Sequence, residues 1–335
     1  MALADMSERL DTLTSWHADW AGLRVVVAGL DQTAFSVVDT LAELGCDVLV
    51  AAPGPPEELA RLVDVVGASL ETDVRAASSF APDVVIAPTT ADDTHPVVAG
   101  ARENGIAVWG DVEVAWRVRD KIVRADGESA DWLLVAGSDG TDEIAHLAAT
   151  MLVTAGVRAA PCGGSVPILD AVRDPAGFDA LVVDLSAAQL ALMAPITGVG
   201  APVPHSAACV HADEETALDV VFRHARVACV YGAADERTLR MVEDADVTDG
   251  ARAIGVRLGT PGLSELGVVE GILADRAFVA DRRTSAAELA TVDVLAERGL
   301  AEPRAVERVL AAAALARAAG AEPAHVAQAL SGAAH

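Results

Sequence analysis

The chain has 335 residues, with 24 Lys or Arg against 50 Asp or Glu, so its formal net charge at pH 7 is -26. This acidity excludes a surface built to neutralise nucleic-acid phosphates, and we expect no nucleic-acid partner. Because 52% of the residues are hydrophobic and only 3% are aromatic, the sequence predicts a folded chain of about two domains with an aliphatic core.

The first part of the chain alternates between strand and helix patterns. Residues 23–50 read as a strand, a helix and a second strand, which is a βαβ unit. A strand at 83–87 and a helix at 95–104 continue the alternation, which is typical of a mostly parallel sheet covered by helices. The polar segment 120–131 is the predicted linker. We therefore predict a doubly wound α/β domain over residues 1–122.

The second part, residues 123–335, predicts another α/β unit. It opens with the strand WLLVAG, the turn SDGTD and a helix that runs from about Glu143 to Thr154. The pattern then changes to short strands, and LGVVEGILADRAFVA predicts an antiparallel ribbon before two Ala-rich helices. Further strands are predicted at 180–184, 207–210 and 227–231, and the Ala-rich helices at 304–319 and 324–330.

The cysteines and the N-terminus indicate the cellular setting. The four cysteines form no Cys-X-X-Cys pair, which favours isolated buried thiols over a disulfide framework or a zinc site. The acidic N-terminus lacks the basic and apolar regions of a signal peptide, and no apolar run approaches the length of a membrane span. The sequence therefore predicts a cytoplasmic protein without a membrane span.

The turn after the first strand lies where a dinucleotide-binding sequence would place three glycines. Only Gly29 is present, since Asp31 and Ala34 stand at the other two positions. The carboxylate of Asp31 would repel a pyrophosphate at the helix N-terminus, which otherwise favours anions. We therefore expect an ordinary strand-to-helix turn and no NAD or FAD.

A second glycine-containing turn, at residues 137–142, follows the strand WLLVAG where a phosphate loop would lie. A phosphate loop needs a lysine that reaches the β- and γ-phosphates. Here Thr141 stands near that position, and Lys121 is the only lysine of the chain. Three acids flank the turn: Asp139, Asp142 and Glu143. They favour the helix dipole as N-cap and first-turn residues, so the turn predicts helix capping with no positive charge to bind a triphosphate.

A metal site and a serine hydrolase are disfavoured alternatives. The histidine- and acid-rich region shows no pair of histidines with the i, i+4 spacing of a helical zinc site. The sequence also lacks the GxSxG pattern of a nucleophile elbow. The region in question contains His205, His211, His224, Asp213, Glu214 and Glu215.

Several segments together resemble the Mur ligase family, specifically the actinobacterial type of UDP-N-acetylmuramoyl-L-alanine:D-glutamate ligase. They are WHADWAGLRVVVAGL at 16–30, HPVVAGARENGIAVWGDVEVAWRVR at 95–119, VACVY at 227–231, ARAIGVRLGTPGLSELGVVEGILADRAFVADR at 251–282 and LAAAALARA near the end. The resemblance implies a Rossmann-like first domain that binds a UDP sugar. It also implies a central domain with a phosphate loop that binds ATP and Mg²⁺.

The motifs that carry the chemistry of this family are altered. Its phosphate loop, GTNGKTT, corresponds to Gly137, Ser138, Asp139, Gly140, Thr141, Asp142 and Glu143, so the glycines remain and the lysine is lost. Asp184 stands for the glutamate that serves Mg²⁺. On the adenine side, Asp235 and Thr238 match the motif, while Gly232 replaces its asparagine. The motif PHNVANAL becomes PRAVERVL, with Glu307 and Arg308 in place of an alanine and an asparagine.

The UDP-sugar motifs are reduced in the same way. Gly29 is the remainder of the glycine turn, and Thr89 stands at the end of the loop that reads SPG in the family. The modified lysine of the family has no counterpart, because no lysine follows Lys121. The sequence ends at His335, where the family's amino-acid-binding third domain would begin, so the resemblance predicts that this domain is absent.

These departures predict a catalytically impaired, Mur-ligase-like protein that acts by binding or regulation in peptidoglycan precursor synthesis. Phosphoryl transfer depends on positive charge around the transferred group, and this chain places acids there. The implied partners are a UDP-sugar precursor or a cell-wall synthesis protein. Two alternatives stay open: a working ATP-dependent ligase that borrows cations and an acceptor domain from another chain, and a UDP-sugar sensor.

Overall fold

The computed structural model describes residues 3–88, 95–213 and 218–332, and the chain folds into two compact units. The first unit contains the chain up to Ser129 together with Ser165–Gly177 and Ala188–Pro202. The second contains Ala130–Gly164, Phe178–Ala187 and the chain from Val203 onward. Two short segments from the second half of the sequence therefore fold with the first unit.

Strands and helices alternate along most of the described chain. The helices are α1 (Leu3–Thr12), α2 (Gln32–Glu43), α3 (Glu57–Val65), α4 (Pro96–Glu103), α5 (Asp111–Arg117), α6 (Thr141–Thr154), α7 (Ile168–Arg173), α8 (Ala187–Met193), α9 (Glu236–Glu243), α10 (Val292–Glu297), α11 (Pro303–Ala318) and α12 (Pro323–Ser331). The strands are β1 (Arg24–Ala28), β2 (Asp47–Ala51), β3 (Ser69–Glu71), β4 (Val84–Ala87), β5 (Ala107–Gly110), β6 (Asp131–Val135), β7 (Ala159–Cys162), β8 (Ala180–Asp184), β9 (Ser206–Cys209), β10 (Ala228–Gly232), β11 (Arg252–Val256), β12 (Glu265–Val269), β13 (Ile272–Asp275) and β14 (Ala287–Thr291).

The first unit contains, among its described residues, a five-stranded parallel sheet in the order β3-β2-β1-β4-β5. The order reverses between β1 and β4, which is the position where doubly wound sheets bind ligands at the carboxyl ends of their strands. The strand β1 is apolar and buried from Val25 to Ala28, as a central parallel strand must be. The predicted doubly wound α/β fold is confirmed.

The second unit contains, among its described residues, a nine-stranded sheet in the order β14-β13-β12-β11-β10-β9-β6-β8-β7. Its strands are parallel up to the β11–β12 pair, and β12, β13 and β14 then pair antiparallel. The antiparallel ribbon and the two Ala-rich helices are confirmed. The predicted helix at Glu143 begins two residues earlier, at Thr141, because Gly140 takes the N-cap position.

The helix α11 lies at the centre of the second unit. Its residues Ala311–Ala316 are fully buried, and it packs against α6 and against strands β9 and β10. Six consecutive buried positions cover the whole circumference of a helix, so α11 is enclosed by protein. Small alanine side chains allow this close approach from all directions, which makes α11 a firmly anchored element.

The cysteines match the prediction of isolated thiols. Cys162, Cys209 and Cys229 are buried, Cys46 is half-buried, and all four are free. Burial raises the pKa of each thiol to about 12, so these thiols stay protonated and unreactive at neutral pH. No helix in the described residues is long and apolar enough to cross a membrane.

Asp111, at the start of α5, is a buried carboxyl group in the first unit. Its Oδ2 accepts a hydrogen bond of 2.8 Å from Gln189 Nε2, and its Oδ1 has no hydrogen-bond partner among the described residues. Burial raises the pKa of this carboxyl to about 6. The folded protein therefore holds a proton that the unfolded chain releases, and the stability from this proton is lost as the pH rises from about 4 to 6.

We predict that Asp111→Asn raises the free energy of unfolding at pH 7.5 by about 1–3 kcal/mol, because the amide carries no charge that must be buried. The gain should disappear near pH 4. Urea unfolding followed by tryptophan fluorescence measures this gain. Four of the five tryptophans belong to the first unit, which contains Asp111, and only Trp132 belongs to the second unit. Asp47→Asn, at an exposed acid of β2, is the control. A less stable Asp111→Asn protein at pH 7.5 would contradict the prediction.

Candidate functional site

The glycine-containing turn of the second unit connects β6 to α6. Its last residue, Gly140, has φ +67°, a left-handed conformation that favours glycine, and it is the N-cap of α6 without a side-chain hydrogen bond. The prediction that one of the three acids supplies the N-cap is therefore wrong. Asp142 and Glu143 do lie in the first turn of α6, where their charges favour the helix dipole.

A positive charge lies at this turn, contrary to the sequence-based expectation. Arg308, on α11, donates from Nε to Glu143 Oε2 at 2.6 Å, and its Nη1 lies 3.6 Å from Asp139 Oδ2. Its side chain covers Gly140 so closely that a Cβ at Gly140 would lie 2.2 Å from Arg308 Cδ. Arg308 thus contacts the turn directly, and its charge is already paired with carboxylates.

The other side of the turn is held by His211, which follows β9. The backbone carbonyl of His211 accepts hydrogen bonds from Ser138 N at 3.1 Å and from Ser138 Oγ at 3.2 Å. The imidazole Nε2 lies 2.9 Å from Glu307 Oε2, and Glu307 directly precedes Arg308 on α11. Two adjacent residues of α11 therefore hold the two sides of the turn, Arg308 by direct contact and Glu307 through His211.

Asp184, the candidate ligand of Mg²⁺, lies at the end of β8 and contacts Thr141 of the turn. The Thr141 hydroxyl hydrogen bonds to its carboxylate, but burial dominates and raises the pKa of Asp184. The backbone of Gly163 and Gly164 packs directly against Asp184. A Cβ at Gly163 would lie 2.0 Å from the Asp184 carbonyl oxygen, so this contact requires glycine. No group of three His, Cys, Asp or Glu side chains in the described part of the chain is arranged to hold a metal ion.

The side chains that match the adenine-side motif form hydrogen bonds with nearby backbone groups of the protein. Asp235 caps α9, with Oδ1 accepting from the amides of Arg237 at 2.9 Å and Thr238 at 3.1 Å. The buried Thr238 hydroxyl donates to the carbonyl of Gly232 at 3.0 Å and accepts from its amide at 3.1 Å. Both side chains therefore have a structural role.

Gly232, which replaces an asparagine of the family motif, is sterically required in this structure. A Cβ at this position would lie 2.2 Å from the backbone carbonyl oxygen of Val210. Real Cβ atoms do not approach a backbone oxygen this closely, so β10 and the end of β9 would have to separate before any side chain could be accommodated. Glycine at this position thus allows the close approach of the two strands in this structure.

A cavity of about 700 Å³ opens beside Gly232 in the second unit. Its walls include Asp235, a residue of the predicted site, and both His211 and Glu307. Neither the turn at 137–142 nor Thr238 contributes to its walls. The lining residues are Val210, His211, Ala212, Gly232, Ala234, Asp235, Glu236, Arg237, Arg240 and Glu307.

The candidate sugar-nucleotide turn of the first unit has the geometry of an ordinary helix start. Gly29 has φ +92°, and its amide donates to the carbonyl of Ala51 at 2.9 Å. Asp31 caps α2 by accepting from the Ala34 amide at 2.8 Å, so a carboxylate already occupies this helix N-terminus. The expected strand-to-helix turn is confirmed. Thr89 lies outside the described residues, as do Glu214 and Glu215 of the histidine- and acid-rich region.

Comparison with known proteins identifies the family. No family model matches the chain. The UDP-N-acetylmuramoylalanine–D-glutamate ligase of Leifsonia xyli is 50% identical over an alignment of 337 positions, which covers 94% of this chain and 65% of the relative. The enzyme of that name from Tropheryma whipplei (strain Twist) is 38% identical over an alignment of 344 positions, which covers 96% of this chain and 69% of the relative. The chain thus spans 65% of the length of the first relative and 69% of the second.

Solved structures share the fold at low sequence identity. The UDP-N-acetylmuramate:L-alanyl-gamma-D-glutamyl-meso-diaminopimelate ligase from Neisseria meningitides has a TM-score of 0.57 at 14% identity, over 93% of this chain and 98% of that chain. The UDP-N-acetylmuramate-alanine ligase from Thermotoga maritima has a TM-score of 0.50 at 18% identity, over 92% and 68%. These structures show the fold alone. The 38% identity to the Tropheryma whipplei enzyme, of which this chain covers 69%, confirms the predicted resemblance, and the chain belongs to the Mur ligase family.

Proposed function

We propose that this chain is a Mur-ligase-family protein that does not complete ATP-dependent ligation and acts through binding in peptidoglycan precursor synthesis. One observation carries the proposal. The residue in the lysine position of the phosphate loop is Thr141, and the guanidinium at the loop, that of Arg308, is already paired with Glu143 and Asp139.

Electrostatics explain why this arrangement opposes a triphosphate. Arg308 brings one positive charge to the turn, and Asp139, Asp142 and Glu143 bring three negative charges, so the net charge is negative. Two unit charges about 4 Å apart interact by about 4 kcal/mol near a protein surface. A polyanion at this turn would therefore meet repulsion where phosphoryl-transfer enzymes supply stabilising cations.

The remaining parts of the site support the same proposal. Mg²⁺ is usually held by one or two carboxylates together with phosphate oxygens. Asp184 supplies one carboxylate, which is half-buried and hydrogen bonded to Thr141, and the phosphate position is the one that the acids disfavour. On the adenine side, Gly232 leaves no side chain to contact a base. The residues present therefore do not fit Mg²⁺ and ATP in the manner of the family motifs.

The proposed ligand is the UDP-sugar precursor. The names of the relatives state that UDP-N-acetylmuramoylalanine is their substrate. The first unit retains the doubly wound sheet whose switch point between β1 and β4 is the usual ligand position. Binding at this point does not require the phosphate loop of the second unit. The Asp31 carboxylate at the start of α2 opposes a pyrophosphate there, so the proposal is supported by the family and by the sheet, and not by that turn.

The second candidate function is ligation itself. The 50% identity to the Leifsonia xyli ligase favours it. In that case ligation would also need a cation at the loop and the part of the relative that these 335 residues do not span. ATP binding by the isolated chain separates the two functions, because ligation requires it and the proposed binding role does not.

We predict that the isolated chain releases no ADP when supplied with ATP, Mg²⁺, UDP-N-acetylmuramoyl-L-alanine and D-glutamate, because the loop has no cation available for the phosphates. Titration calorimetry with ATP and Mg²⁺ should show no tight binding. The Leifsonia xyli ligase serves as the positive control for both measurements. A micromolar dissociation constant or measurable turnover by the isolated chain would overturn the proposed impairment.

We further predict that restoring the family's asparagine with Gly232→Asn lowers the free energy of unfolding by about 1–3 kcal/mol, since the new Cβ collides with the Val210 carbonyl. It should not create ATP binding. Ala234→Asn is the matched control, because it adds the same side chain at an exposed position two residues away. Urea unfolding and calorimetry with ATP measure the two effects, and a Gly232→Asn protein as stable as the control would show that the strands separate easily.

A further inference from the structure

We propose that Glu307 and Arg308 form a clasp that holds the phosphate loop, residues 137–143, in one conformation without any nucleotide. The clasp is defined by two side-chain contacts, the His211–Glu307 hydrogen bond and the Arg308–Glu143 ion pair. It is an autoinhibitory contact built into the fold, because an incoming polyanion would have to separate this ion pair. The proposal goes beyond the proposed function, since it concerns the resting loop and stands whether or not the chain uses ATP.

The first arm of the clasp is Arg308. The Nε–Oε2 distance of 2.6 Å to Glu143 is that of a charge-assisted hydrogen bond, which is stronger than a neutral one. The side chains of Arg308 and Glu143 are 18% and 28% exposed, so water screens the pair less than it screens a surface pair. Asp139 is 60% exposed and lies 3.6 Å from Arg308 Nη1, so it adds little.

The second arm is Glu307. It holds the imidazole of His211 at 2.9 Å, and the carbonyl of the same histidine accepts two hydrogen bonds from Ser138. A Cβ at Gly137 would lie 3.2 Å from this carbonyl, which places the start of the loop against it as well. The first arm therefore fixes the end of the loop, and the second arm fixes its beginning.

Both arms start from a rigid support. Glu307 and Arg308 precede the fully buried segment Ala311–Ala316 of α11 by about one turn. An element enclosed by core side chains does not move to follow a ligand, so the loop is positioned by the core. In a nucleotide-binding loop the bound phosphates supply the corresponding contacts, which means that the clasp takes their place.

Hydrogen exchange of the full chain without nucleotide tests the clasp, because each arm has its own reporter. The Ser138 amide donates to the His211 carbonyl, and the Ile144 amide donates to the Gly140 carbonyl at 3.2 Å. We expect Arg308→Ala to accelerate exchange at Ile144, and Glu307→Ala to accelerate exchange at Ser138, each by about tenfold for the loss of a charge-assisted hydrogen bond.

Arg304→Ala is the matched control, since Arg304 is an exposed arginine one turn earlier on α11 with no partner in the described ranges.

Glu143→Gln is the second variant if Arg308→Ala does not fold, because it keeps the shape of the side chain and removes its charge. It should also accelerate exchange at Ile144. Exchange rates at both amides equal to those of the control would overturn the clasp. The proposed function is tested separately, by ATP binding to the unmodified chain, so the failure of either proposal is recognised by its own measurement.

Discussion

The ion pair between Arg308 and Glu143 is the contact on which both proposals depend. It joins a helix enclosed in the core to the turn that corresponds to the phosphate loop of the family. A lysine within the loop would offer a mobile charge that a ligand can recruit, whereas this guanidinium is held at 2.6 Å by a carboxylate of the loop itself. The loop is therefore ordered by the protein and carries a net negative charge.

The sequence predicts the central elements of both units and misses strands at the edges of the sheets. The βαβ unit, the antiparallel ribbon and the Ala-rich helices are confirmed, because their hydrophobic periodicity is local and long enough to read. The strands β3, β7 and β14 were not predicted, and each lies at the end of its sheet. Edge strands are short and half-exposed, and β7 even contains Pro161, so their sequences lack a continuous apolar run.

The candidate site is predictable in its position and not in its charge. The glycine spacing places the loop between β6 and α6, where the structure has it. The expectation that no positive charge reaches this loop is wrong, because Arg308 contacts Glu143. The sequence could not predict this contact, since the two residues lie 165 positions apart. Local patterns contain no information about such a contact. The one signal is the comparison with PHNVANAL, in which an uncharged asparagine becomes arginine.

The residues that still match the family motifs are not evidence for its chemistry. Asp235 caps α9, and Thr238 binds both backbone groups of Gly232. Loss of a cap or of a buried hydrogen bond costs on the order of 1 kcal/mol, so these two residues stabilise the fold whether or not a nucleotide binds. The lysine and the asparagine of these motifs are absent from this chain, so no structural role of that kind can be assigned to them. Motif residues with a structural role are expected whether or not the chain uses ATP, and the replaced positions are therefore the informative ones.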